Sequence, residues 1–497
     1  MILEGLINLY TNPLTLLFMV IGVSFGIFLG AVPGFGATLG IAILIPFTFG
    51  MDPGIALPML AGVYSGAIYG GGITAIMVGI PGTSAAAATV MDGFAMTKKG
   101  QSNKALTASV FSSSFGGVVG GFCLLLFAPV LARFTLCFGP AEYFMLSVFG
   151  LTIIATVAGE SMPKALIAGL LGLLLAVVGI DPITGEDRFT FGQMYLLDGL
   201  PLIPAILGLF AFPRCLEMIH HVFKQKEDTL GGRKDFGAGP PIKLREMAGM
   251  WRTLIRSSIL GTLIGIIPGA GANIACWVGV SEAKRKSKHP EKFGTGVVEG
   301  VVAAEAANNA TEGGSLIPML TLSIPGSSAS AVMLGALMIH GMVPGPALFT
   351  RYAPVTYTFI WAIILNNILM LIIGYNGSKL FARIANVPLI MLAPVMMLVT
   401  LLGSFATRQL GFDVGVTVFL GSICYLLTLA RYPMAPILLG LILGPIAEKG
   451  LRRALLISHG NWTVFFTRPI CIVLIVLIIL SLYASIRIAR KQRAWKL

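Results

Sequence analysis

Six short runs decide how this chain folds. "GAVPGFGA" at 30–37, "YGGG" at 69–72 and "GIPGTSAA" at 79–86 in the first half are answered by "GIIPGAGA" at 265–272, "EGG" at 312–314 and "SIPGSSAS" at 323–330 in the second. Each sits in or between strongly apolar stretches. Proline removes a backbone donor and breaks the helical ladder, and hydrocarbon offers the freed groups no partner. Non-helical backbone at membrane depth therefore needs protein or a wet cavity around it. Matching interruptions in corresponding places of two halves point to a binding site at a repeat interface, as in secondary transporters.

Composition bounds the class. Of 497 residues, 56% are hydrophobic and 11% charged, and mean hydropathy is +0.89. Soluble domains carry roughly 25% charged residues, so the chain reads as a polytopic membrane protein. At ~20 apolar residues per crossing there is room for about ten to twelve transmembrane segments, several of them broken. The net charge of +13 comes from short basic clusters between apolar runs, which suits cytoplasmic loops and gives no reason to expect nucleic acid. "MILEGLINLY" at the start has no basic residue and does not read as a secretory signal. The six cysteines show neither metal spacing nor a disulfide framework and read as small hydrophobes. No Walker loop is present, and nothing near "GVYSGA" at 62–67 supports a nucleophile and base. Neither enzyme chemistry nor a cofactor is expected.

Loop charge suggests opposite threading of the halves. After the break at Pro268 comes "SEAKRKSKHPEK", with Lys284, Arg285, Lys286, Lys288 and Lys292, whereas the matching "FGMDPG" has only Asp52. After the Ser/Thr motif the bias reverses: Lys98, Lys99 and Lys104 in the first half stand against Arg351 and His340 in the second. With basic loops cytoplasmic, the repeats are inverted. The basic "RIARKQRAWK" at the C-terminus is then also cytoplasmic. Residues 1–223 form the first membrane repeat, 224–256 a charged, Gly/Pro-containing cytoplasmic linker, and 257–497 the second repeat. An amphipathic surface helix is an option after Pro241.

The chemistry is expected at the breaks. In "IPGTSAA" and "IPGSSAS" a helix starts inside the membrane, and its free N–H groups and positive dipole end suit a carboxylate. Thr83, Ser84, Ser327 and Ser328 add hydroxyl donors, while Gly82 and Gly326 permit close approach of a ligand. The alternative is that these small residues mediate ordinary helix packing. Pro33, Gly34 and Gly36, and Pro268, Gly269 and Gly271, either free carbonyls for a cation such as sodium or let broken helices cross. Sequence leaves both open. In "VVEGVVAAEAANNATEGGS" at 297–315, Glu305, Asn309 and Glu312 share a helix face, with Asn308 beside it. Asn308 and Asn309 read as substrate-binding amides, whereas Glu299 and Glu305 admit a reading as cytoplasmic-end groups solvated by the basic loop. The matching first-half stretch offers Tyr64, Ser65 and Tyr69 but no charge, so any site is asymmetric. Asp92 reads as a turn-closing residue. Arg408, Asp413, Glu448, Arg452 and Arg453 read as interface ends, Glu160 and Lys164 as an i, i+4 pair, and "DPITGEDRFTFG" at 181–192 as a polar loop or tight turn.

The run from Gly30 through "GGGITAIMVGIPGTSAAAATVMDGFAMTKKGQ" to Gln101, the run at 293–349 and the run at 432–460 followed by "FFTRPI" closely resemble the large membrane subunit of tripartite tricarboxylate transporters. The resemblance covers nearly the whole chain. It implies a multi-pass subunit in the bacterial inner membrane that works with a small membrane subunit and a periplasmic solute-binding protein. It also implies import of carboxylates such as citrate by sodium or proton symport, and it maps the binding region onto the two Pro-Gly-Ser/Thr loops and onto Asn308 and Asn309.

The expectation is therefore an all-α polytopic membrane protein of two inverted repeats, with broken helices or re-entrant hairpins whose tips meet near the midplane. An elevator-type displacement of the site is a hypothesis that follows from the paired tips. A gradient-uncoupled channel for organic anions, with the tips as filter, is the alternative, and an inert scaffold for partner subunits is a third reading.

Overall fold

A computed structural model describes residues 2–32, 34–157, 162–181, 184–224, 239–268, 271–384 and 389–494. Pro33, Gly269, Glu160 and residues 225–238 of the expected linker lie outside the described residues.

The first half begins with α1 (Ile2–Thr11) and α2 (Pro13–Gly30). Asn12 caps α2 by accepting from Leu14 N at 3.1 Å, and Pro13 supplies the preset φ of a first helical residue. After the first break come α3 (Ala37–Thr48) and α4 (Pro53–Met77), the latter capped by Asp52 through Gly54 N at 2.7 Å. The second break leads into α5 (Ala87–Lys98), α6 (Ser102–Thr135), α7 (Pro140–Val157) and α8 (Met162–Ala176). The polar stretch at 181–192 belongs to a small hairpin, β1 (Gly179–Ile180) pairing with β2 (Asp187–Arg188). Arg188 and Arg452 bind Asp181 and Glu448 there, the Arg188–Glu448 distance being 2.7 Å and Arg452–Asp181 2.8 Å. These charges are a structural clamp between hairpin and helix. Next, α9 (Leu202–Ile206) runs through a π turn (Leu207–Ala211) into α10 (Phe212–Lys224).

The second half repeats the order. The single turn α11 (Leu244–Gly249), which stands where an amphipathic helix was an option, precedes α12 (Trp251–Ile266), α13 (Gly271–Lys286) and α14 (Val298–Leu322). Then follow α15 (Ser328–Ile339), the short α16 (Pro346–Phe349), α17 (Ala353–Ile384), α18 (Leu389–Arg408), α19 (Gly411–Leu429), α20 (Ala435–Ile457), α21 (Val464–Thr467) and α22 (Pro469–Ala494). Among the described residues, seven helices are long and apolar enough to cross a membrane, and four shorter apolar helices accompany them. Large apolar side chains on α18 and α19, such as Leu398, Leu402, Phe419 and Leu426, are exposed, as expected of a lipid-facing surface. Lys164 Nζ donates to Ala430 O at 2.6 Å, and Arg408 pairs with the buried Asp413.

Glycine ridges hold the centre together. A Cβ on Gly22, Gly26 or Gly30 of α2 would stand 2.2, 2.5 or 2.3 Å from the carbonyls of Met59, Val63 and Ala67 on α4. In the second half, Gly261 of α12 would meet Ala307 O of α14 at 2.3 Å, and Gly116 of α6 would meet Ala306 O at 2.1 Å. Apolar lipid supplies no hydrophobic drive between helices, so close backbone contact through small residues takes its place. Contact order shows direction: α2 rises with α4, and α12 with α14. Between halves the order reverses. Ser65 of α4 touches Glu312 of α14, and Gly72, further along α4, faces Glu305, earlier on α14. The corresponding helices α4 and α14 thus run antiparallel, as the loop charges require of an inverted repeat.

Gly261→Val forces a branched side chain into the Ala307 carbonyl and is expected to destabilise the protein by roughly 1–3 kcal/mol. Gly249→Ala, with open space around it, should change little. Thermal unfolding of the two purified variants in detergent checks the contrast.

Candidate functional site: two helix starts around one cavity

Both Pro-Gly breaks fold the same way. In the first tip, Gly82 N donates to Gly71 O of α4 at 3.2 Å, and Gly34 N donates to Gly82 O at 3.2 Å. Thr83 Oγ1 accepts from Ala86 N at 3.3 Å, opening a tight turn (Ser84–Ala86) that runs into α5. In the second tip, Gly326 N donates to Ser315 O of α14 at 3.3 Å. Ser327 Oγ accepts from Ser330 N at 3.1 Å, while Ser330 Oγ accepts from Ser327 N at 2.9 Å. That reciprocal pair is a capping box, which explains Ser at both positions. Glycine is needed at the corner of each tip: a Cβ at Gly82 or Gly326 would lie 2.4 Å from the carbonyl of Gly30 or Gly265.

The tips face a cavity of about 440 Å³. Thr83, Ser84, Ser327, Ser328 and Asn308 line it, as do Gly34, Gly36, Gly82 and Gly271. Gly326, Asn309 and Pro268 do not; Gly326 shapes the tip from behind, and Asn309 Nδ2 donates weakly to Glu305 O at 3.4 Å. Asn308 is 1% exposed, and both its side-chain atoms are buried without a partner. An amide in that condition is costly unless something enters to bond it. Tyr64 ties the halves together, its hydroxyl lying 2.8 Å from Ser327 Oγ and 3.0 Å from Ser315 Oγ. Ser84 Oγ donates to Asn273 Oδ1 of α13 at 2.7 Å, a second bridge between halves.

Sequence reasoning missed Arg214, the one charged side chain in the cavity lining among the described residues. It stands at the start of α10, just past the π turn, an irregularity frequent at functional sites. One terminal nitrogen pairs with Glu217, whereas Nε is buried with no acceptor. Gly34 makes room for it, since a Cβ there would be 1.7 Å from Nη2. A lone arginine inside the apolar run at 200–221 was the available signal, because intramembrane charge is functional by default.

Two further acids differ from expectation. Glu305 is not solvated by the basic loop but fully buried, accepting from Thr89 at 2.5 Å and Ser113 at 2.9 Å. The reason is Gly72, whose missing side chain lets α4 close over the carboxylate. Glu299 stays half-buried and accepts from Thr253 at 2.7 Å. Asp92 does more than close a local turn: its Oδ1 accepts from the backbone of Gly294, Gly296 and Val297, at 2.8, 2.9 and 3.0 Å, and fixes the loop that launches α14.

Helix starts at membrane depth, supplied by two oppositely threaded halves and closing on one polar cavity, define a membrane protein of transporter type. The chain belongs to the Tripartite tricarboxylate transporter TctA family, whose profile matches residues 16–439. It is 36% identical over 485 residues to an uncharacterized 52.8 kDa protein in the TAR-I ttuC' 3' region of Agrobacterium vitis, covering 97% of this chain and 96% of the relative. A second protein of that organism, from the TAR-II ttuC' 3' region, is 37% identical over 236 residues, which is 47% of this chain and 98% of the relative. No solved structure matches the chain.

Ser327→Ala deletes both the cap and the Tyr64 contact and should lower unfolding free energy by about 1–2 kcal/mol. Ser328→Ala, at an exposed position, should cost under about 0.5 kcal/mol. Denaturant titration of the purified variants measures both.

Proposed function

We propose that the chain is the large membrane subunit of a binding-protein-dependent secondary transporter that imports carboxylates of the tricarboxylate or dicarboxylate type by sodium or proton symport. It works in the bacterial inner membrane with a small membrane subunit and a periplasmic solute-binding protein. The observation that carries this reading is the cavity's polarity. Among the described residues its single charge is the Arg214 guanidinium, and its other polar side chains are the hydroxyls of Thr38, Tyr64, Thr83, Ser84, Thr311, Ser327 and Ser328 and the amides of Asn273 and the unpartnered Asn308. Helix N-termini favour anions, and a guanidinium matches a carboxylate with two parallel donors.

In this mechanism the two tips hold carboxylate groups of the substrate through hydroxyl and backbone N–H donors. Arg214 meets a further carboxylate from the α10 side, and Asn308 supplies an amide donor or acceptor from α14. The Tyr64–Ser327 and Ser84–Asn273 bonds keep the tips registered while the site is closed. The bound unit then moves against the outer helices, exposing the site to one side at a time, and vertical displacement of the tips between the two states is the mark of an elevator.

Uptake of labelled citrate and dicarboxylates into proteoliposomes holding the chain and its small partner tests the reading. Accumulation that needs both an ion gradient and the binding protein is expected, whereas gradient-independent equilibration would instead establish a channel. Arg214→Gln should weaken substrate binding about ten- to hundredfold, the worth of a charge-assisted hydrogen bond. Isothermal titration with citrate measures this, and Arg214→Lys should recover part of the loss.

A further inference from the structure

Glu312 lies fully buried on α14 where α4 and α17 meet it. Ser65 Oγ donates to its Oε1 at 2.7 Å, and Asn367 Nδ2 donates to its Oε2 at 3.1 Å. The surrounding elements supply no cation among the described residues. α4 presents Tyr64, and α6 presents Gly117 and Gly120, with Cys123 beyond them. α12 presents Thr262. Of the other two acids of α14, Glu299 accepts from Thr253 of α12 in the first turn, and Glu305 has its oxygens taken by Thr89 of α5 and Ser113 of α6, with Cys276 of α13 and Tyr69 of α4 near that end. An ionised carboxylate so placed is a far greater burden than a hydrogen-bonded neutral acid, and neutralisation is the ordinary remedy.

The hydrogen bonds around Glu312 fit both charge states. Ser65 Oγ has one hydrogen and two acceptors in reach, Glu312 Oε1 at 2.7 Å and Ala61 O at 3.1 Å. When the carboxylate is ionised, the hydroxyl serves it. When Oε1 carries a proton, that proton is donated to Ser65 Oγ, and the serine hydrogen turns to Ala61 O. One proton is added and no group loses its partner. Glu305 has no such reserve, because Thr89 and Ser113 have the carboxylate as their one acceptor among the described residues.

A second observation links Glu312 to the cavity. Asn308, one turn earlier on α14, lines the cavity with both side-chain atoms buried and unpartnered, and Asn367 Oδ1 is also unpartnered beside Glu312. Tyr64, adjacent to Ser65, lines the same cavity, and its hydroxyl joins Ser327 of the tip to Ser315. Ser315 Oγ donates in turn to the backbone carbonyl of Glu312 at 3.0 Å. These hydroxyls tie the cavity to the turn that carries the acid; they end on its backbone carbonyl, so they couple the acid's position to the tip and do not conduct its proton.

We propose that Glu312 is the site that takes up and releases the coupling proton. The inference rests on the transport reading above and names its ion. The proton arrives from the aqueous side to which the cavity opens, leaves on the other side, and renders α14 neutral while the loaded site crosses. Ser65 is a positioning residue that lets the same packing hold both states.

The test uses the full chain with its partner subunits in proteoliposomes, labelled citrate, and an internal pH-sensitive dye. The wild type should take up protons with citrate and accumulate it under a pH gradient without sodium. Glu312→Gln, a permanently neutral mimic, should keep citrate counterflow at zero gradient within about twofold of wild type. It should lose at least tenfold of pH-driven accumulation, together with proton uptake. PH-driven accumulation surviving in Glu312→Gln would overturn the proposal. So would wild-type uptake driven by sodium with no proton movement, which needs no variant to fold and leaves the transport reading intact. A wild type that moves no carboxylate under either gradient would overturn both.

Discussion

Backbone at membrane depth must be hydrogen-bonded by protein, and the rest of this structure depends on that constraint. Each Pro-Gly break frees backbone groups that lipid cannot serve. α4 and α14 answer with the carbonyls of Gly71 and Ser315, which accept from Gly82 and Gly326. For those carbonyls to be in reach, the tips must lie almost against the helices, which excludes side chains at both corners and along the neighbouring ridges. The glycine content at 30, 71, 82, 265 and 326 follows from this geometry. The helix starts line the cavity through Ser84 and Ala85 and through Ser328 and Ala329, so the device that rescues broken backbone also places the groups on which the proposed anion site rests.

The halves share a scaffold and divide the chemistry. Tyr64 and Ser65 of α4 stand where α14 has Asn308 and Asn309, and the antiparallel run of the two helices lets each reach the other's polar groups. Tyr64 therefore meets Ser327 of the opposite tip, and Ser65 meets Glu312. The differing side chains place Glu305 and Glu312 on α14 and Arg214 on α10.

Much of this was legible in the residues. The breaks at Gly82 and Gly326 and the opposite threading follow from proline chemistry and loop charge, which are local signals, whereas Thr83 and Ser327, read from sequence as donors to a ligand, turn out to cap their own helices. The cavity-lining role of Asn308 followed from the cost of an amide at depth. What escaped depends on contacts distant in sequence. Asp92 reads as a turn former because the backbone it holds, Gly294 to Val297, lies some 200 residues away. Glu305 reads as solvated because its closeness to a basic loop is visible in sequence, whereas the glycine that lets α4 cover it belongs to the other half. Arg214 offered a local signal, a charge within an apolar run, but its aim into the cavity depends on a π turn that leaves no clear composition mark.

The central claim is that the two tips form one site. Single cysteines at Ser84 and Ser328, in a background lacking the native thiols, test it through protection from a membrane-impermeant thiol reagent by citrate. One shared site predicts that citrate protects both positions with the same half-saturating concentration. Protection of one tip alone, or of the two at clearly different concentrations, would contradict it.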